Sequence, residues 1–133
     1  MRTFRFDKIV RNAIPAKMEN SGAVVRYRAL SPEETGHLLL EKLIEEAREA
    51  QAASPDERAA EFADLRAVLK AAELALGLSD EAITGAEQVK YAKGGDFSSI
   101  VYVETMTIPD DDPWVEYFLT YPDKYPEIPL PPE

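Results

Sequence analysis

Two short groups of carboxylates are the residues of this chain best equipped for chemistry. Glu45, Glu46 and Glu49 form one, and Glu61 with Asp64 the other. On a helix, positions three or four apart share a face, so the members of each group converge. If the two carrier helices run antiparallel and face each other, four or five carboxylates meet. Such a cluster repels itself unless a cation fills it. Oxygen ligands alone favour Mg²⁺ or Mn²⁺ over zinc, and Mg²⁺ commonly bridges to substrate phosphates. The same spacing also suits solvated faces, with Glu41, Lys42, Glu45 and Arg48 in ordinary surface ion pairs. Glu61 and Asp64 sit among Phe62, Ala63 and Leu65, a stretch apolar enough to be half-buried, where unpaired carboxylates are costly.

Composition removes most competing chemistries. The 133 residues include no cysteine, which excludes disulfides, thiol catalysis and thiolate metal sites. A single histidine, His37, argues against a zinc site or a serine-histidine triad. It falls in the first turns of a long helix, where partial exposure is expected. Ser98-Ser99 has no histidine base nearby in sequence. The net charge of −10, from 25 acids and 15 bases, argues against nucleic-acid polymers and anionic membrane surfaces as partners. No apolar run is long enough to span a bilayer, and the N-terminus has no secretory apolar core, so a cytoplasmic protein is expected.

Several elements must position the carboxylates. Ser31-Pro32-Glu33-Glu34 is a capping box with proline in the first turn. The helix it opens runs to about Ala53, with Leu39, Leu43, Ala47 and Ala50 as its apolar stripe. Ser54-Pro55-Asp56-Glu57 repeats the signal, and a second helix is predicted from Pro55 to Leu76. Its stripe is Phe62, Leu65, Leu69, Ala72 and Leu76, with Gly77 as the stop. Two long helices joined by so short a turn must be antiparallel neighbours. A short helix begins at Ile14-Pro15, and another runs from Ser79 to Gly94-Gly95. Residues 23–30 and 98–107 read as two strands that pair with each other, because neither is stable alone.

Charge divides the chain. Residues 1–30 carry seven bases against Asp7 and Glu19, whereas 107–133 carry seven acids against Lys124. Seven of the ten prolines also fall in 107–133. A body over 1–106 and an acidic, proline-rich and aromatic arm over 107–133 are therefore expected. Within the arm, Trp114, Tyr117, Phe118, Tyr121 and Tyr125 should form one aromatic face, on a short helix between Pro113 and Pro122.

The pattern EExxE followed by ExxD on antiparallel helices resembles the all-α nucleoside triphosphate pyrophosphohydrolase superfamily, which includes MazG-like proteins and phosphoribosyl-ATP pyrophosphohydrolase. The flanking segments are similar to those of its house-cleaning branch. The N-terminal KLVRDKIP type stands here as Lys8-Ile9-Val10-Arg11-Asn12-Ala13-Ile14-Pro15. The KxxRGGF type stands as Lys90-Tyr91-Ala92-Lys93-Gly94-Gly95-Asp96-Phe97. The resemblance covers about residues 4–106.

The resemblance implies a mainly α fold: an antiparallel helical pair that contributes to a four-helix bundle completed by oligomerisation, with the small two-stranded β element beside it. It implies a homodimer or homotetramer. It also implies Mg²⁺-dependent conversion of a nucleoside triphosphate and water to a monophosphate and pyrophosphate, with Mn²⁺ as a possible substitute ion. By match to the motif, Glu46, Glu49, Glu61 and Asp64 would ligate metal. Glu45 or Glu49 would take the water's proton. Lys8, Arg11, Lys90 and Lys93 would clamp phosphates. Asn12-Ala13 replaces the family's Asp-Lys, Lys93 replaces its arginine, and Asp96 is inserted before Phe97. These departures leave open a weakened member that binds nucleotide or metal as a sensor or interaction module.

Overall fold

Ser31 opens the longest helix as its sequence requires. The Ser31 hydroxyl accepts from the Glu34 N–H at 3.2 Å, and the Glu34 carboxylate accepts from the Ser31 N–H at 3.0 Å. Arg28 reinforces this end, donating to both oxygens of Glu34 at 3.0 and 3.1 Å. The guanidinium, then the Ser31 bonds, hold the Glu34 carboxyl down at about 2.

The structure, a computed structural model, describes residues 1–130 and is mainly helical. In chain order the helices are α1 (Ile14–Asn20), α2 (Pro32–Ala52), α3 (Arg58–Ala75), α4 (Asp80–Gly94) and α5 (Trp114–Thr120). Only α2 and α3 pack against each other among these helices. Their facing positions step in opposite senses: Gly36 meets Leu76, Leu39 meets Val68 and Ala72, and Glu46 meets Glu61 and Asp64. That is the expected antiparallel pair. A β-carbon at Gly36 would lie 2.7 Å from Leu76 Cδ2, so the missing side chain lets the two helices close at this end.

The core is small. Leu39, Val68 and Ala72 are buried, with Ile9 and Leu43 packed against them. The expected stripe of α3 is met in part: Ala72 is in the core, Leu65 is half-buried and Leu76 meets Gly36. Val68, outside that stripe, is buried against α2, whereas Phe62 and Leu69 are exposed. Helix α3 is apolar on two sides, and periodicity alone does not say which side meets the neighbour. On α2, Leu39 and Leu43 point inward as expected, but Ala47 is exposed.

Two local expectations fail. Ser54 does not cap α3. Its carbonyl accepts from the Glu57 and Arg58 N–H groups, forming a turn that leaves Glu57 at the cap with no side-chain bond. No β-ladder forms among the described residues; 23–30 and 98–107 are without regular secondary structure and unpaired. Their β-branched composition favours an extended chain but supplies no partner.

The chain divides into two compact units, Met1–Gly94 and Gly95–Glu133. The junction follows the end of α4, where Gly95 takes a φ of +75° that favours glycine. Within the second unit the aromatic side chains pack on one another. Phe118 lies 4.9 Å from Tyr125 and 6.1 Å from Trp114, ring centre to ring centre. Asp112 anchors α5 by accepting from the Trp114 N–H at 2.8 Å. The last residues of the expected arm, 131–133, lie outside the described residues. No helix among the described residues is long and apolar enough to cross a membrane.

Candidate metal centre

Glu46 continues the inner stripe of α2, seven residues beyond Leu39. On α3, Glu61 precedes Val68 by the same interval. Two helical turns therefore carry the interface from hydrocarbon to carboxylate. Glu46, Glu61 and Asp64 each present an oxygen, and the three oxygens lie within 4.8 Å of one another. Glu46 is only 7% exposed, the sole charged residue buried to this degree among the described residues. Burial, and then the neighbouring charge of Glu49, push its carboxyl pKa up.

Two oxygens here are buried without a hydrogen-bond partner, Glu46 Oε2 and Glu61 Oε2. An unpaired buried carboxylate oxygen is costly. Lys42, one turn back on α2, gives Glu46 partial compensation, with Nζ 3.4 Å from Oε1. The remaining oxygens are hard, anionic and convergent, which is the donor set that suits Mg²⁺ or Mn²⁺. The residues present thus fit a divalent cation, which Glu46, Glu61 and Asp64 would hold.

The other expected site residues stand at different distances from this trio. Glu49 is exposed and outside it, although close enough for its charge to act on Glu46. Glu45 faces the N-terminal segment, where its Oε1 accepts from Lys8 Nζ at 2.7 Å. That bond lowers the Glu45 pKa and raises that of Lys8. Arg11 Nη2 donates to Asp64 Oδ1 at 2.6 Å. Lys8 and Arg11 therefore sit at the cluster but on its carboxylates, a pairing the sequence reading did not foresee. Ile9 packing on the core explains how the intervening chain is held there. Lys42, expected in an ordinary surface ion pair, instead serves the buried Glu46, four residues on.

Lys90 and Lys93 are not brought to the cluster. They lie exposed on α4, which packs against no other helix, and they form no ion pair among the described residues. His37 is exposed and pairs with Glu41 at 3.1 Å. Beside the Lys8–Glu45 pair lies a cleft of about 260 Å³ lined by Phe6, Ile9, Leu38 and Lys42, among others. That is smaller than the roughly 300–1,000 Å³ of ordinary ligand pockets. Comparison with family models, curated proteins and solved structures finds no match to this chain.

Proposed function

We propose that the α2–α3 pair is the centre of a Mg²⁺-dependent nucleoside triphosphate pyrophosphohydrolase acting on non-standard or surplus nucleotides. The observation that carries the reading is the pair of partnerless buried oxygens, Glu46 Oε2 and Glu61 Oε2, beside Asp64. The motif resemblance of residues 4–106 supports the choice of reaction. When bound, Mg²⁺ would neutralise triphosphate charge and lower the pKa of a bound water. Glu46, Glu61 and Asp64 would hold it.

The remaining roles fall to this chain's own groups. In the proposed reaction water adds to the α-phosphorus, the bond to the bridging oxygen breaks, and pyrophosphate leaves. Glu45 would accept the water's proton once Lys8, which lowers its pKa, has moved to phosphate. Glu49, exposed beside the trio, is the alternative base. Arg11 and Lys8 would exchange their carboxylate partners for phosphate oxygens, since both are charge-assisted donors already at the cluster. Lys90 and Lys93 remain phosphate ligands only in the motif match.

The motif resemblance implies a site completed by a second copy. Phe62 and Leu69 lie exposed seven residues apart on the side of α3 away from α2, the spacing of a helix-packing seam. A homodimer or homotetramer with a four-helix core would bury them. We place such a protein in the cytoplasm. The test is pyrophosphate release over a panel of standard and modified nucleoside triphosphates with Mg²⁺ and Mn²⁺. Release should vanish in Glu46→Gln and Asp64→Asn. No release from any triphosphate at any metal concentration would overturn the enzyme reading.

A second reading is a weakened member that binds nucleotide or metal as a sensor or interaction module. The engagement of Arg11 and Lys8 by carboxylates favours it, as do the Asn12-Ala13 replacements. Nucleotide-induced thermal stabilisation without turnover would select it.

A further inference from the structure

The segment that leads into α1 is held at the carboxylate cluster by its side chains. Across residues 1–10 no backbone group forms a hydrogen bond to another backbone group among the described residues. Three contacts fasten the segment. Lys8 Nζ donates to Glu45 of α2 at 2.7 Å, Arg11 Nη2 donates to Asp64 of α3 at 2.6 Å, and Ile9 packs on the core between them. The stretch from Lys8 to Arg11 thus ties both helices together at their carboxylates. Asp7, just before it, has a φ of +44°, the sole positive value at a non-glycine position among the described residues. That backbone conformation costs energy, which the contacts beyond it must offset.

Three cationic groups sit on these carboxylates, and they differ in how readily they can leave. Lys42 belongs to α2, its side chain is only 19% exposed, and it stays with Glu46. The side chains of Lys8 and Arg11 are 53 and 62% exposed, on a segment with no backbone bonds to break. Exposed pairs of this kind are held weakly, because water solvates both partners well. A divalent cation held by Glu46, Glu61 and Asp64 would share Asp64 with Arg11, and like charges on one carboxylate repel. Lys8, on Glu45 next to Glu46, meets the same added charge.

We propose that the stretch from Lys8 to Arg11 is a latch released by a divalent cation: Arg11 leaves Asp64 and Lys8 leaves Glu45 when the cation is taken up by Glu46, Glu61 and Asp64. The proposal rests on the cation-binding half of the function proposed above and goes beyond it, since the cation alone, without nucleotide, frees both donors. Release also returns Asp7 to an ordinary conformation. Lys8 and Arg11 then become available to an anionic ligand only at a loaded centre, which sets the order of binding.

Two measurements on the full chain test this. Mn²⁺ binding, read from the electron paramagnetic resonance of the free ion, should be about tenfold tighter in the double variant Lys8→Met, Arg11→Met, a typical coupling between linked sites. Removing positive charge would tighten binding even without a latch, so release itself is read with trypsin, which cuts after a lysine or arginine only when that side chain is free to enter it. Cutting after Lys8 and Arg11 in the parent, followed by mass spectrometry, should be about tenfold faster with Mn²⁺ than in chelator, tracking the population of the released segment. Cutting after Lys124, in the second unit, should not change, and Glu46→Gln should abolish the Mn²⁺ effect at Lys8 and Arg11. Bound Mn²⁺ with unchanged or slower cutting at these two residues would overturn the latch and leave the metal centre standing. So would weaker Mn²⁺ binding by the double variant, which would make Arg11 a positioning residue for Asp64. A parent chain that binds no Mn²⁺ would overturn the latch and the metal centre together. No measurement here uses nucleotide, so the choice of reaction is tested separately.

Discussion

Arg11 Nη2 donates to Asp64 Oδ1 at 2.6 Å and so fastens the N-terminal segment to α3 at the carboxylate cluster. The two residues are 53 positions apart in sequence. Both side chains are well exposed, so the pair contributes about 1 kcal/mol or less to folding. Its importance is positional.

Arg11→Ala should therefore leave the denaturation midpoint nearly unchanged. In the hydrolase reading it should raise the KM for nucleotide about tenfold, the loss of one charge-assisted hydrogen bond. Arg11→Lys should recover part of that loss, since charge returns without the planar fork. Steady-state kinetics alongside urea denaturation separates the two effects.

Glu46→Gln should stabilise the metal-free protein at neutral pH, by on the order of 1 kcal/mol, because it removes an incompletely paired buried charge. The sign with pH follows from the raised carboxyl pKa of Glu46. The folded state holds that proton more tightly, so stability in the parent declines as pH rises from the ordinary glutamate value, about 4.3, through the raised one. The advantage of the variant should thus shrink on acidification. Thermal melts in chelator at a series of pH values check this. Added Mg²⁺ should raise the midpoint of the parent and not of the variant.

Ser31→Ala should cost about 1 kcal/mol through loss of the cap on α2. Glu34→Gln should make the protein less sensitive to acid. The stabilisation from Glu34 is complete above the ordinary glutamate pKa and is lost as pH falls toward its folded value of about 2. Acid-unfolding curves for both variants provide the measurement.

Leu39→Ala should cost roughly 2–4 kcal/mol, and with so few buried side chains the loss should be plain in chemical denaturation. Ala47→Ser, on the exposed side of the same helix, should change stability by less than about 0.5 kcal/mol.

The helical pair was legible because Ser31, Pro32 and Glu34 specify a helix start through bonds that span only three residues. Ser54 and Glu57 share that spacing, yet there the chain closes a turn instead, since the same backbone groups can satisfy each other without the side chain. The carboxylate cluster was legible as a group but not in its membership. Spacing of three and four makes Glu45, Glu46 and Glu49 equivalent. What distinguishes Glu46 is its phase relative to Leu39, which becomes visible only when the inner face of α2 is known. The same ambiguity misplaced Phe62 and Leu69. The β-branched segments announced an extended tendency, while pairing depends on a neighbour that local sequence does not encode.

The seven-residue step from Leu39 to Glu46, mirrored by that from Val68 back to Glu61, places hydrocarbon and oxygen on one continuous seam. Structural and chemical constraint therefore fall on the same few positions. Evolutionary drift along this seam is restricted twice over, since a substitution that shifts the packing of Leu39 or Val68 also shifts the spacing of the carboxylates. Variation between relatives should concentrate instead on outward positions such as Ala47, Arg48 and Arg66, and their substitution should be nearly silent.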